Sequence, residues 1–264
     1  MLSTWWRWWS PDPDGGAALN GVRAVARCRP GALLRPTLLV AVVPLLAAVL
    51  ASCGQSPPSS AGLATRTAAA MADSSYRISG SASAGGTTTT FSVATLPNGD
   101  FSGSVVTRVP GSPTLSLRVM AVAKKVFVLS PLGLQQLGVT ALPGNLNPAT
   151  TWIEQPPATA QHYLQSIAPF AGPGIGRTIA RYLDAPHTIA STELNGLGAW
   201  LVEEGAGGSS LRLYIAKGSY RLLELTVAGK SPISLTYTQF GQIGTISPPP
   251  SDHVYVPPAT AQSG

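Results

Sequence analysis

The chain has 264 residues, of which 44% are hydrophobic and only 11% carry a charge, against about 25% in ordinary soluble domains. Its formal net charge is +6, yet residues 54–264 contain twelve basic and nine acidic side chains, so much of the excess lies before them. This balance gives no basis for a nucleic-acid partner, and we predict none.

Residues 1–52 are predicted to be an export signal. Arginines precede an uncharged apolar run, Thr37–Ser52, which leads into Leu50-Ala51-Ser52-Cys53. The run is short of the roughly 20 residues that a membrane-spanning helix needs. The final four residues resemble the lipobox of bacterial lipoprotein signals, which implies that Cys53 becomes the acylated N-terminus. The alternative is a buried helix that ends in an ordinary cysteine.

Residues 1–21 are predicted to be dispensable for export. They include four tryptophans within residues 5–9 that neither a signal peptide nor a packed core requires. Either the true translation start lies near Val22 or Val25, or these residues form an unusually long cytoplasmic head.

The mature chain is predicted to have three parts. Residues 53–60 contain the lipidated cysteine and a Pro/Ser-rich tether that should stay extended. Residues 61–250 are long enough for one domain with a sizeable core, and residues 251–264 are predicted to be a flexible tail. Since Cys28 leaves with the signal and Cys53 is acylated, no disulfide is expected.

The first half of the domain is predicted to be a helix followed by a meander of strands. Residues 61–75 are Ala-rich and have no proline, which favours a helix. Beyond them, apolar and polar residues alternate with a period of two, as in strands. Asn98-Gly99 indicates a hairpin, because both central residues of a type I′ turn need positive φ. The predicted strands are 76–84, 87–96, 101–109, 114–123 and 125–129.

The centre of the chain, residues 130–186, is rich in proline and loses this alternation. Helices are predicted at 158–168 and 175–183, and a strand end at Trp152-Ile153. Alternation then returns, and the predicted strands are 188–194, 199–203, 211–215, 221–227 and 233–238.

This order of elements predicts an α+β fold. Each set of strands has one apolar face, and both faces must be covered. A single large curved antiparallel β-sheet wrapped around the helices meets both requirements.

The same features resemble the actinobacterial LppX/LprG-type lipoproteins, whose fold is LolA-like. The resemblance rests on the lipobox at Cys53, the opening Ala-rich helix, the meander through Leu117–Val128, the helical insert, and the closing sequence KSPISLTYTQFGQIGTISPPP of residues 230–250. It implies that the strongly curved antiparallel sheet is a half-barrel wrapped around a few helices. It also implies an apolar cavity between sheet and helices that takes acyl chains of envelope lipids or glycolipids. The proline-rich centre departs from the family and leaves the mouth of the cavity undetermined.

The resemblance also implies a location and a partner. Acylated Cys53 would anchor the protein to the extracytoplasmic face of the cell membrane, with palmitate as one acyl group. Two or three acyl groups on Cys53 are expected, because a single chain anchors only marginally. Membrane lipid or glycolipid is the expected partner, a membrane transporter is a further one, and a monomer is the expected state. Lipid transport needs no cofactor, and no catalytic residues come with this family.

Alternating apolar residues of the strands are predicted to line the lipid cavity. The alternative is that they fill an ordinary packed core, as in most sheets, and that the protein is a lipid-anchored extracytoplasmic module for protein interaction. The predicted lining consists of Phe91, Val93, Leu115, Leu117, Val119, Leu213, Ile215, Leu223, Leu225, Ile233, Leu235 and Tyr237.

Catalytic and metal-binding patterns are weak. The three histidines, at positions 162, 187 and 253, are too widely spaced for a short zinc motif. Asp184 and His187 suggest a triad with some serine, but neither G-x-S-x-G nor S-x-x-K occurs. The run from Gly172 to Gly176 lacks the Gly-Lys-Ser/Thr ending of a phosphate loop and is interpreted as a connector between helices. We therefore predict neither an enzyme nor a metal site.

Overall fold

The computed structural model describes residues 57–130, 146–184, 187–206 and 209–257. Residues from Pro57 onward form one compact unit. The export signal and Cys53 lie outside the described residues, so the predictions about them stay predictions.

Three helices and a 3₁₀ turn cover one face of a sheet. The helices are α1 (Ser60–Ala72), α2 (Pro157–Ile167) and α3 (Gly172–Asp184), and the 3₁₀ turn Ala168–Phe170 joins α2 to α3. Ser59 caps α1, since its hydroxyl accepts a hydrogen bond from the backbone N–H of Gly62 at 3.2 Å. No helix within the described residues is both long and apolar enough to cross a membrane.

Helices α1 and α3 pack closely. A Cβ atom placed on Gly176 would lie 2.8 Å from the Cβ of Ala68, so glycine is what permits this approach. The two helices therefore form one layer, while α2 packs separately against β5 and the 3₁₀ turn.

The strands form a single sheet. Their bounds are β1 (Tyr76–Ala84), β2 (Thr87–Thr95), β3 (Phe101–Arg108), β4 (Leu115–Val122), β5 (Lys125–Leu129), β6 (Trp152–Glu154), β7 (Thr188–Leu194), β8 (Leu197–Ala206), β9 (Ser209–Ala216), β10 (Leu222–Ala228), β11 (Ile233–Thr238) and β12 (Val254–Tyr255).

The 12 strands follow the order β12-β6-β5-β4-β3-β2-β1-β11-β10-β9-β8-β7. All neighbours are antiparallel except β12 and β6, which are parallel. The two meanders meet where β1 pairs with β11, and the sheet does not close, since β12 and β7 remain edges. The predicted α+β fold, a curved antiparallel half-barrel around a few helices, is confirmed.

Residues 239–253 cross the sheet from β11 in its middle to β12 at its edge. The backbone N–H of Gly241 donates to the carbonyl of Ser75 at 2.8 Å, and the Ser75 hydroxyl donates to the carbonyl of Ile243 at 3.4 Å. The ordered part of the domain reaches at least Tyr255, within the segment expected to be a flexible tail.

Candidate functional site

The inner face of the sheet, which the helices cover, is the candidate site. Register places Ile78 of β1 opposite Val93 of β2 and Tyr237 of β11, and all three side chains are buried. Eleven of the twelve predicted lining residues lie on this face: Phe91, Val93, Leu115, Leu117, Val119, Leu213, Ile215, Leu225, Ile233, Leu235 and Tyr237.

Leu223 is the exception, and the alternation predicted for β10 fails there. Leu222 lies opposite Ile215, whereas Glu224 lies opposite Tyr214, so the strand has a bulge at Leu223. A bulge adds one residue and shifts the alternation by one position. Leu222 is consequently the fully buried residue, while Leu223 is half-buried.

Two apolar clusters occupy the inner face. The larger lies between the α1–α3 layer and strands β1 and β8 to β11; Leu63 and Met71 of α1 and Ile175 and Ile179 of α3 contribute to it. The smaller lies between α2 and strands β2 to β5. Phe91, which is half-buried, packs against both clusters and joins them.

Helix α2 covers the smaller cluster with one stripe of side chains. Ala160 is buried in the cluster, and Tyr163, Leu164 and Ile167 pack against it. The spacing i, i+3, i+4, i+7 is that of an amphipathic helix, so the sequence held a signal for these residues that the strand alternation did not reveal.

Burial of the inner face falls from one end of the sheet to the other along strands β2 and β4. We call the end at the Gly85–Gly86 turn the tether end and the end at the Pro97–Gly99 turn the distal end. Along β2, Val93 is buried toward the distal end, and Phe91 and then Thr89 are half-buried toward the tether end.

Strand β4 shows the same change. Val119 is 4% exposed and lies toward the distal end, whereas Leu115 at the tether end is half-buried. The Thr89 and Thr107 hydroxyls, 3.1 Å apart, form a hydrogen bond across β2 and β3 at that end. Along β2 and β4 the inner face is thus apolar and covered at the distal end and half-covered at the tether end, where Ala82 and Thr107 on the neighbouring strands are nevertheless buried.

The larger cluster contains hydroxyls without a partner. Within the described residues, Tyr237 Oη and Thr67 Oγ1 are buried and make no hydrogen bond. Burial raises the pKa of the Tyr237 hydroxyl well above its ordinary value, and Tyr76 and Tyr182 raise it further. A buried hydroxyl without a partner costs about 1 to 3 kcal/mol.

Tyr237→Phe should therefore leave the free energy of unfolding at pH 7 unchanged or raise it. Above pH 10 the parent should lose stability, because tyrosine in the unfolded chain ionises near pH 10 while folded Tyr237 keeps its proton. The Tyr237→Phe variant should lose less stability than the parent over the same pH range. Urea unfolding at several pH values measures both effects, and a variant clearly less stable at pH 7 would show that the hydroxyl has a partner.

The histidines do not form a site with one another. His187 hydrogen-bonds Ser60 through Nε2 at 2.8 Å, and His253 lies 3.8 Å from a carboxylate oxygen of Asp252. The described part of the chain contains no group of three or more His, Cys, Asp or Glu side chains that could hold a metal ion.

Fold and inner face together define an α+β half-barrel domain with an apolar concave surface. No family model matches the chain, and no curated protein matches it in sequence. Among solved structures, the complex of MucA and MucB from Pseudomonas aeruginosa matches with 11% identity and a TM-score of 0.34, over 78% of this chain and 62% of that one.

Two further structures give similar values. MucB in complex with MucA(peri) matches with 8% identity and a TM-score of 0.31, over 70% of this chain and 56% of that one. MucB alone matches with 10% identity and a TM-score of 0.31, over 78% of this chain and 62% of that one. The chain spans less than two thirds of the length of these proteins, and similarity at this level assigns it neither a partner nor a ligand.

Proposed function

We propose that this protein is a membrane-anchored lipoprotein that binds acyl chains of envelope lipids or glycolipids on its inner face and carries or presents them. The observation that supports this is the gradient along strands β2 and β4 of the inner face, from buried aliphatic side chains to half-buried Phe91 and Leu115 and then to Thr89. An acyl chain with a polar headgroup has the same gradient.

The energetics favour such a binder. Each methylene removed from water is worth about 0.8 kcal/mol, so an acyl chain leaves a bilayer slowly unless an apolar surface receives it. Half-buried Phe91, Val105 and Leu115 offer apolar surface that the helices do not fully cover. No covalent chemistry is required, which agrees with the weak catalytic patterns of the sequence.

Leu115→Trp should reduce the amount of lipid that co-purifies with the mature protein, since the indole would fill half-covered space at the tether end of the inner face. The stability of the Leu115→Trp variant should change little, because overpacking costs about 1 to 3 kcal/mol only where a core is already close-packed. Native mass spectrometry of the protein with bound lipid and thermal melting give the two measurements.

Val106→Trp is the matched control. Val106 is half-buried in the adjacent strand, opposite Ser116, and therefore on the outer face. The Val106→Trp variant should retain as much lipid as the parent does. A parent without lipid, together with a Leu115→Trp variant that melts well below it, would contradict the carrier function and favour a packed core with a protein-interaction surface.

A further inference from the structure

We propose that the tether end of the domain docks against anionic headgroups of the membrane, so that the half-covered part of the inner face opens toward the bilayer. This inference rests on the proposed function, because it needs an acyl anchor on Cys53. It adds an orientation and a contact surface, which the anchor alone does not determine.

The chain enters the domain at the tether end. Ser60 at the start of α1 hydrogen-bonds His187, the residue before β7, and β7 begins at the tether end, as its antiparallel register requires. Cys53 precedes Ser60 by seven residues, which span about 25 Å at most when fully extended. An anchor on Cys53 would therefore keep the tether end close to the bilayer.

The turns at this end present a basic and apolar tip. Residues 108–114 are all exposed, and Val109 is 43% exposed beside Arg108. A Cβ atom on Gly86 would lie 3.4 Å from Cγ of Pro110, so the β1–β2 and β3–β4 turns are neighbours. The β10–β11 turn, which carries Lys230, joins them, since Ser83 N–H donates to the Pro232 carbonyl at 3.0 Å.

The charges at this tip are available to a partner. Among the described residues, neither Arg108 nor Lys230 is in an ion pair, and both are exposed. Among the described residues, the acids toward this end lie on other elements: Glu203 pairs with Arg212 at 2.8 Å, Glu204 is half-buried next to it on β8, and Asp184 ends α3. Basic side chains beside an exposed apolar residue suit an interface with anionic lipid, where the charges meet headgroups and the apolar side chain enters the boundary.

A fluorescent label tests the orientation. The mature acylated protein, with Val109→Cys or with Leu197→Cys, is labelled with an environment-sensitive dye and reconstituted into vesicles of phosphatidylcholine with phosphatidylglycerol. Leu197 is the matched position, since it is 55% exposed in the β7–β8 hairpin at the distal end. A quencher confined to the lipid phase should quench the label at position 109 several times more strongly than the label at position 197.

Charge variants test the contact itself. Arg108→Gln with Lys230→Gln should lower the quenching at position 109, whereas Lys124→Gln, an exposed lysine in the distal β4–β5 turn, should not. Equal quenching at positions 109 and 197, or no effect of the double variant, would overturn the docking. Lipid occupancy is measured on the same samples, so bound lipid without the expected orientation contradicts the docking alone, and the expected orientation without bound lipid contradicts only the carrier function.

Discussion

Gly80→Ala is expected to lower the free energy of unfolding by about 3 kcal/mol, the upper part of the range for overpacking in a core. A Cβ atom on Gly80 would lie 2.0 Å from the carbonyl oxygen of Ser234 and 3.0 Å from a methyl group of Leu235. The oxygen belongs to the backbone of β11, so the contact is relieved only if the strand moves.

The position explains why the effect should be large. Gly80 lies opposite Leu235 on one side and Phe91 on the other, at the junction of the two meanders. Gly103 has a similar environment on β3, where a Cβ atom would lie 2.2 Å from the carbonyl oxygen of Ser92. We infer that these two glycines permit the close approach of neighbouring strands in a strongly curved sheet.

Gly244→Ala is the matched control, because nothing lies within 4 Å of a Cβ atom there. Urea unfolding of the soluble mature chain compares the two variants with the parent. Equal midpoints for Gly80→Ala and the parent would show that β11 adjusts without cost, and would remove Gly80 as a determinant of the curvature.

The alternation of apolar and polar residues predicted most of the strands, because this period of two is clear in the sequence wherever one face of a sheet is buried. The strands 76–84, 125–129, 188–194 and 233–238 have the predicted bounds, and the others differ by a few residues at their ends. The sequence did not reveal β12, whose two residues are too few to show a period.

Local geometry was harder to predict than the strands. In the turn after β2 only Gly99 has positive φ, at 89°, so the type I′ prediction for Asn98-Gly99 is wrong although the hairpin itself is present. The Gly99 N–H donates to the Leu96 carbonyl at 3.0 Å, and proline at position 97 favours a negative φ at the first central position. Similarly, nothing in the spacing of Leu223 and Leu225 indicated the bulge that buries Leu222 instead.

The strand residues of the inner face were predictable except at the bulge of β10, but the extent to which the helices cover them was not. Strand alternation shows which side chains share a face, whereas the placement of α2 and the α1–α3 layer decides which of them are covered. Val119 is buried in the cluster that α2 covers, so tryptophan there should cost stability whether or not lipid binds. Leu115 is the more informative position, because it is only half-covered.

Cys53→Ala is expected to abolish the acylated mature form of the protein. The thiol is the side-chain group that is acylated before cleavage, and the sequence Leu50-Ala51-Ser52 before it suits a peptidase that acts on an acylated precursor. Metabolic labelling with a palmitate analogue in a lipoprotein-processing bacterium should label the parent and not the variant. The variant should be released from membranes or retain its signal.

Ser52→Thr is a control that alters the site without removing the thiol, and it should keep the label to a large extent. A Cys53→Ala variant that still fractionates with membranes at mature length, and is extracted only by detergent, would contradict the lipoprotein prediction. The membrane docking of the tether end would then lose its anchor, whereas the apolar inner face would keep its gradient, because that gradient is set by Phe91, Leu115 and the helices above them. Lipid co-purification with the released variant separates the two properties, since binding should persist when the anchor is gone.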